Sequence, residues 1–199
     1  MKKYELTSET KIVFGHILYR IKALSSFGYV SAGDLGGFLE SEKNLSQNGN
    51  AWVSGNARVY GNAEVSGNAE VYGNAEVYGN ARVSGSAEVS GNARVYGNAE
   101  VYGNAEVYGS ARVSGNAEVS KIGSIFWIGA VGSRNDTATF FRCTDGVVRV
   151  TCGCFFGNLD EFAKKVRKTH GDNDHAKVYM LAIDMAKIRI STEKEKTEE

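Results

Sequence analysis

The sequence predicts a mainly β protein whose middle is a solenoid, and three observations carry that reading. Between Gly49 and Ser120 a hexapeptide recurs twelve times, beginning GNAWVS, GNARVY, GNAEVS, GNAEVY. Every repeat keeps Ala and Val two residues apart, as in Ala57 and Val59 or Ala75 and Val77. Both then point to one face of an extended segment, while the Glu or Arg between them points to the other. Each repeat turns on a Gly-Asn type pair, which accepts positive φ without strain and would break a helix every other turn. A short strand that buries only Ala and Val is not stable alone, so the repeats must stack.

Written from its valine, the repeat reads VYGNAE or VSGNAE. In that form it resembles the hexapeptide of left-handed parallel β-helices, with an aliphatic residue first and a small one fifth, over 72 of the 199 residues. The resemblance implies three hexapeptides per coil, hence about four coils and a rod ~20 Å long at the spacing of paired strands. Its second position is usually small or acidic in that family, whereas here it is Tyr or Ser.

Stacking by eighteen residues sorts the outward side chains into columns. One holds Trp52, Glu70, Glu88 and Glu106; the others hold Arg58, Glu76, Arg94, Arg112 and Glu64, Arg82, Glu100, Glu118. Two columns mix opposite charges, each contact contributing a few tenths of a kcal/mol, while the first sets three glutamates in a repelling row. Tyr60, Tyr78 and Tyr96 share a column, which reads as a stacking ladder or as a stripe for a partner; Tyr72, Tyr102 and Tyr108 are dispersed.

A solenoid has unpaired edges at both ends, so the flanks are expected to be caps. Residues 1–48 form an N-terminal β cap, in which 11–24 reads as a hairpin turning at Gly15-His16 and GDLGG as a tight turn into the first coil. That GDLGG lacks the lysine and spacing of a nucleotide loop. Residues 49–120 are the repeat, and 121–190 form a C-terminal α+β domain. There SIFWIGAV and ATFFRCTDGVVRVTCGCFF read as strands with a two-residue turn at Asp145-Gly146. A helix opens at Asn158 with Glu161 completing a capping box, buries Leu159, Phe162, Ala163 and Val166, and stops at His170-Gly171. A second helix runs from about Asp174 to Ile190 with Val178, Leu181, Ala182 and Met185 inward. STEKEKTEE, residues 191–199, reads as a disordered, solvated tail.

Composition narrows the function classes. Hydrophobic residues make up 42% and charged residues 23%, so the chain is globular despite 24 glycines. No run reaches the ~20 apolar residues of a membrane span and MKKYELTSET lacks a signal-peptide core, so a soluble protein of the bacterial host cytoplasm is expected. Three cysteines suit a reducing compartment. The net charge is zero, with segments at +1, −3 and +2, which gives no basic field for nucleic acid and makes DNA binding unexpected. Mimicry of DNA by Glu70, Glu88 and Glu106 is weak too, since a duplex carries one charge per ~1.7 Å.

Catalytic chemistry finds no residues to use. Enzymes with the left-handed β-helix fold, acyltransferases and γ-class carbonic anhydrases among them, employ histidines at subunit interfaces, but the twelve repeats contain no His, Cys or Asp. The histidines are His16, His170 and His175, and His170 reads as a helix C-terminal cap. Cys143, Cys152 and Cys154 suggest zinc by composition. The two-residue turn, however, places Cys143 and Cys152 ~13 Å apart, and sets Cys143, Cys152 and Cys154 on one buried face with Phe141, Val148 and Val150, as core thiols. No cofactor or metal is therefore expected. Lys164, Lys165, Arg167 and Lys168 form a secondary basic patch, read as a solvated helix face.

The flanks add a second resemblance. MKKYELTSETKIVFGHILYRIKAL, GDLGGFLESEKNLSQ and FFRCTDGVVRVTCGCFFGNLDEF around GNA repeats are similar to proteins of phages and prophages of Gram-positive bacteria. That similarity implies no established activity, but small non-enzymatic phage proteins commonly antagonise host defence. With a rigid aromatic-bearing rod and no catalytic residues, the expectation is a non-enzymatic binding protein, such as an anti-CRISPR or an immune-signal sponge, that occupies a host protein or a nucleotide. The binding surface would be Tyr60, Tyr78 and Tyr96 with Glu70, Glu88 and Glu106. A nucleotide would need a basic, aromatic pocket, which only the C-terminal domain or a subunit interface could supply. The alternative is a structural trimeric rod or spacer, or a dimer, and the third reading is an acyltransferase-like enzyme.

Overall fold

The computed structural model describes residues 2–190, so the segment 191–199 lies outside the described residues. Twelve two-residue rungs, Trp52–Val53 through Glu118–Val119, stack as three parallel columns of four. The register is the eighteen-residue one, as Val59 over Val77 and Glu88 over Glu106 show. Alanine and valine of every rung are buried in one continuous core. Gly55 takes φ +63° and the Ala57 N–H closes the turn on the Ser54 carbonyl at 3.2 Å. Only the glycine of each pair adopts positive φ; the asparagine instead uses its amide, as in Asn62 to Asn80 at 3.1 Å and Asn80 to Asn98 at 2.9 Å. A side chain at Gly85 would sit 2.8 Å from the Gly103 nitrogen, which fixes glycine at that corner.

The parallel β-solenoid has about five turns rather than four. The added turn lies before the repeat, where Phe38 and Leu39 pair with Arg58 and Val59, and Leu45 bridges to Val65. GDLGG is thus a turn only in its first half: Gly33, φ +97°, sits in a turn closed by the Asp34 N–H on the Ser31 carbonyl at 3.0 Å, whereas Gly36 and Gly37 lie within strand β3 (Leu35–Leu39). A Cβ on Gly36 would come within 2.6 Å of the Val53 carbonyl, and one on Gly37 within 2.6 Å of the Ala57 carbonyl, so glycine serves close packing.

Strands β1 (Tyr4–Val13) and β2 (His16–Ala23) form an antiparallel hairpin that extends the same sheet through β3. It begins earlier than residue 11, and its turn is Phe14-Gly15, with φ of +48° and +86°, one residue before the expected pair. Val13 pairs with His16, leaving Ile12 and Phe14 exposed at the tip.

Beyond the repeat, strands Ile125–Val131, Asp136–Arg142, Val148–Cys152 and Phe155–Asn158 form a four-stranded antiparallel sheet. Its hairpin turns on three residues, Thr144 to Gly146, so Arg142 rather than Cys143 faces Val148, and Ala138 rather than Thr139 faces Cys152. A one-residue slip reverses which side chains share a face. Phe141 and Cys143 therefore close the solenoid core, while Val148, Val150 and Cys152 join Phe140 under the helices.

Helix α1 (Leu159–His170) starts with the Asn158–Glu161 capping box and ends at Gly171, φ +57°. Helix α2 (Asp174–Arg189) buries Ala176, Tyr179, Ala182, Ile183 and Ala186. Val178, Leu181 and Met185, expected inward, are exposed. Both sides of α2 are apolar, so its periodicity did not single out the packed one.

Candidate functional site

Two of the three outward columns are closed by charges from the C-terminal sheet. Glu76 is buried between Arg58, at 2.6 Å, and Arg94, at 3.4 Å, and the column ends where Arg112 meets Asp136 at 3.7 Å. The second runs through Arg82 and Glu100, at 3.8 Å, to Glu118, which meets Arg142 at 3.5 Å. The third differs. Among the described residues Glu70, Glu88 and Glu106 make no ion pair, although they stand in direct register. Their neighbours are aromatic. Tyr72 donates its hydroxyl hydrogen bond to Glu88 at 3.1 Å, and exposed Tyr29 lies beside Glu70. Tyr108 stands edge-on to Trp127 at 4.4 Å.

This face is concave at its C-terminal end. Tyr72, Glu88, Glu106 and Tyr108 line a hollow of about 320 Å³. It adjoins a groove of about 410 Å³ between Glu106, Tyr108, Ile122, Trp127, Met185 and Arg189. Tyr29, Tyr72, Tyr108 and Trp127 were not singled out from sequence as surface residues. For Tyr72 and Tyr108 the signal was present, since eighteen-residue stacking with Ser90 between them puts both beside the glutamate column.

The tyrosine column is a ladder. Tyr60 stacks on Tyr78 with ring centroids 5.1 Å apart, and Tyr78 on Tyr96 at 5.0 Å, both nearly parallel. His16 covers the end, 5.1 Å from Tyr60, and its Nδ1 donates to the Glu40 carboxylate across 2.9 Å. Tyr60 is 4% exposed and packs with Val13, Leu18 and Phe38, so it presents almost no surface; Tyr78 and Tyr96 are half-buried. The tyrosine and glutamate columns occupy different sheets of the solenoid and do not form one patch. Burial pushes the Tyr60 phenol up to about 12, which keeps it neutral.

The C-terminal domain holds a separate cleft of about 290 Å³, where Arg134, Lys165 and His170 lie around Phe155, Phe162 and Tyr179. Lys164, Lys165, Arg167 and Lys168 are all exposed on α1, opposite buried Phe162 and Val166. The cysteines are split between surroundings, Cys143 in the solenoid core, Cys152 3.7 Å from the Tyr179 hydroxyl, and Cys154 exposed. Burial pushes the Cys143 and Cys152 thiols up, away from the reactive thiolate. Among the described residues no three His, Cys, Asp or Glu side chains are grouped to hold a metal ion.

The rung geometry has a counterpart among known repeats. Residues 51–67, 75–89 and 87–103 match the YdcK beta solenoid repeat. The matched segments carry Trp52, Glu88 and the Arg58–Glu76–Arg94 pairs, whereas the two caps lie outside them. The match supports the solenoid and says nothing about what its faces bind. Among curated proteins the chain has no match.

Proposed function

We propose that the protein is a non-catalytic binding protein that acts by occupying a partner through the face built on Glu70, Glu88 and Glu106. The observation that carries this reading is the glutamate column, which makes no ion pair among the described residues. Like charges one rung apart repel, and in the other two columns arginines or the C-terminal sheet relieve such strain. A local rule broken at one place in an otherwise consistent structure is characteristic of functional surfaces. Carboxylates beside Tyr72, Tyr108 and Trp127 suit a partner protein that inserts Arg or Lys side chains, which pair with the acids and lie over the rings. The rigid rod presents these groups preorganised, so little entropy is lost on docking. The resemblance of the flanks to phage proteins favours a host target, with the chain as an antagonist of defence in the host cytoplasm.

A second reading, a nucleotide ligand, is favoured by the C-terminal cleft, whose cations and aromatic rings suit a phosphate and a base.

One experiment addresses both. Tagged wild-type protein and a Glu70→Gln, Glu88→Gln, Glu106→Gln triple variant are incubated with bacterial host lysate, and what each retains is identified by native mass spectrometry. The wild type is expected to carry a stoichiometric host protein that the variant loses, while the variant melts at the same or a higher temperature because the repulsion is gone. Equal capture by both proteins would refute the face. A bound nucleotide would move the function to the cleft, and a clean homo-oligomer carrying nothing would point to a structural rod.

A further inference from the structure

Helix α2 presents a second apolar face. Val178, Leu181, Met185 and Ile188 are 40, 64, 51 and 88% exposed, on a helix whose opposite side is already packed. Their spacing is three, four and three residues. That is the seam of a two-stranded coiled coil, narrower than the face that packs a helix onto a sheet. Ile122, half exposed, extends the strip, because it shares a groove with Met185 and Arg189.

We propose that the occupant of this seam is a second copy of the chain, with the two α2 helices parallel about a two-fold axis. Each seam residue then meets its own counterpart, as an isologous interface requires. The flanking charges select the parallel arrangement. With Val178 and Met185 at the first core position of the heptad and Leu181 and Ile188 at the second, Asp184 precedes a core position and Arg189 follows one. In a parallel pair Asp184 lies opposite the partner's Arg189, and the same contact recurs on the other side of the axis. An antiparallel pair centred on the seam would bring the two Asp184 carboxylates together. Among the described residues Asp184 has only its exposed contact with Lys187, at 3.5 Å, to exchange for the new one. The seam borders the groove that holds Glu106 and Trp127, so pairing would set two acidic faces along one edge of the dimer.

Sedimentation velocity and light scattering on the full chain, from about 1 to 200 µM, test the pairing. The wild type is expected to shift from monomer to dimer across that range. Leu181→Lys should weaken association by about 100-fold or more, since both copies lose a central contact. Its circular dichroism and melting temperature should stay unchanged, because the replaced side chain is exposed. Asp184→Arg should weaken the dimer, and Asp184→Arg with Arg189→Asp in the same chain should restore it. A wild type that stays monomeric at the top of the range, or a dimer indifferent to Leu181→Lys, overturns the proposal. A double variant no tighter than Asp184→Arg overturns the parallel alignment. The Glu70, Glu88, Glu106 triple variant should dimerise as the wild type does, which separates this inference from the proposed binding face.

Discussion

The two ends of the solenoid expose opposite chemistry, and the chain treats them differently. Each rung donates its N–H groups to the coil that follows, as Trp52 does to the Ala69 carbonyl at 3.0 Å. The first coil therefore has orphaned carbonyls and the last has orphaned amides, and both need partners where they are buried. At the N-terminal end the added turn provides donors. Phe38 and Glu40 donate their backbone N–H to Ala57 and Val59, and Ser46 to Val65. Two side chains finish equivalent corners: Lys3 Nζ donates to the carbonyls of Ala51, at 2.9 Å, and Gly49, at 3.4 Å, and Asn44 Nδ2 to those of Ala63, at 2.8 Å, and Gly61, at 3.1 Å. The C-terminal end is closed by a sheet with its own core. It lays Ile125, Phe141 and Cys143 on the last coil and offers the Thr139 hydroxyl to the Arg112 N–H. One end is a continuation of the rod, while the other is a lid.

Removing each cap should break this comparison most visibly. A chain ending at Ser120 would expose the last coil's valines together with its free amides, a template for another edge. It is expected to associate end to end and leave solution. A chain beginning at Asp34 retains β3, Asn44 and most of the added turn, so it should remain soluble with a lowered melting temperature. Size-exclusion chromatography and thermal melts distinguish the two, and equal loss of soluble protein from both truncations would erase the distinction.

Smaller effects should follow from the corner side chains. Asn44 is fully buried, and Asn44→Leu leaves two carbonyls without donors at a cost of about 2–4 kcal/mol. Urea unfolding should show it. Lys3 carries a different signature. Burial lowers its ammonium from the usual 10.5 to about 8, so between those values the unfolded chain binds more protons than the folded one. Stability should rise with pH over that window, because the folded state no longer has to hold the charge. Above about 10 the phenols act the other way, since Tyr60, at about 12, keeps its proton in the fold after the unfolded chain has lost it. Lys3→Met should flatten the rise between about 8 and 10 and leave the fall above it. An unaltered profile would mean that Lys3 is solvated.

The sharpest contrast in legibility also falls between the rod and its caps. Eighteen-residue stacking follows from exact repetition, and all three charge columns lie as the sequence implies. The added turn escaped notice because Phe38, Leu39 and Leu45 replace the repeat's valines without its Gly-Asn spacing, and Gly36-Gly37 looks like punctuation when it serves close packing. In the lid, Asp145-Gly146 marked the hairpin correctly. One extra turn residue nevertheless moved Cys143 and Phe141 to the opposite face. The glutamate column was legible as a row; its isolation was not, since that depends on where Asp136 and Arg142 of the lid come to rest.

Thr139 offers the finest test of the lid. Its side chain is fully buried, and its hydroxyl oxygen accepts the Arg112 N–H at 3.0 Å. Thr139→Val keeps the shape and removes the acceptor, leaving a single buried amide unpaired at a cost of about 1–3 kcal/mol. Thr139→Ser keeps the acceptor and loses only a methyl group, about 1 kcal/mol. If the lid works by receiving amides, valine should be the worse substitution in urea unfolding, and amide exchange at Arg112 should accelerate in that variant alone. If the lid is only an apolar cover, serine should be the worse of the two. Opposite orders of the same two variants thus decide whether the C-terminal end is capped by hydrogen bonding, as the N-terminal end is, or by burial.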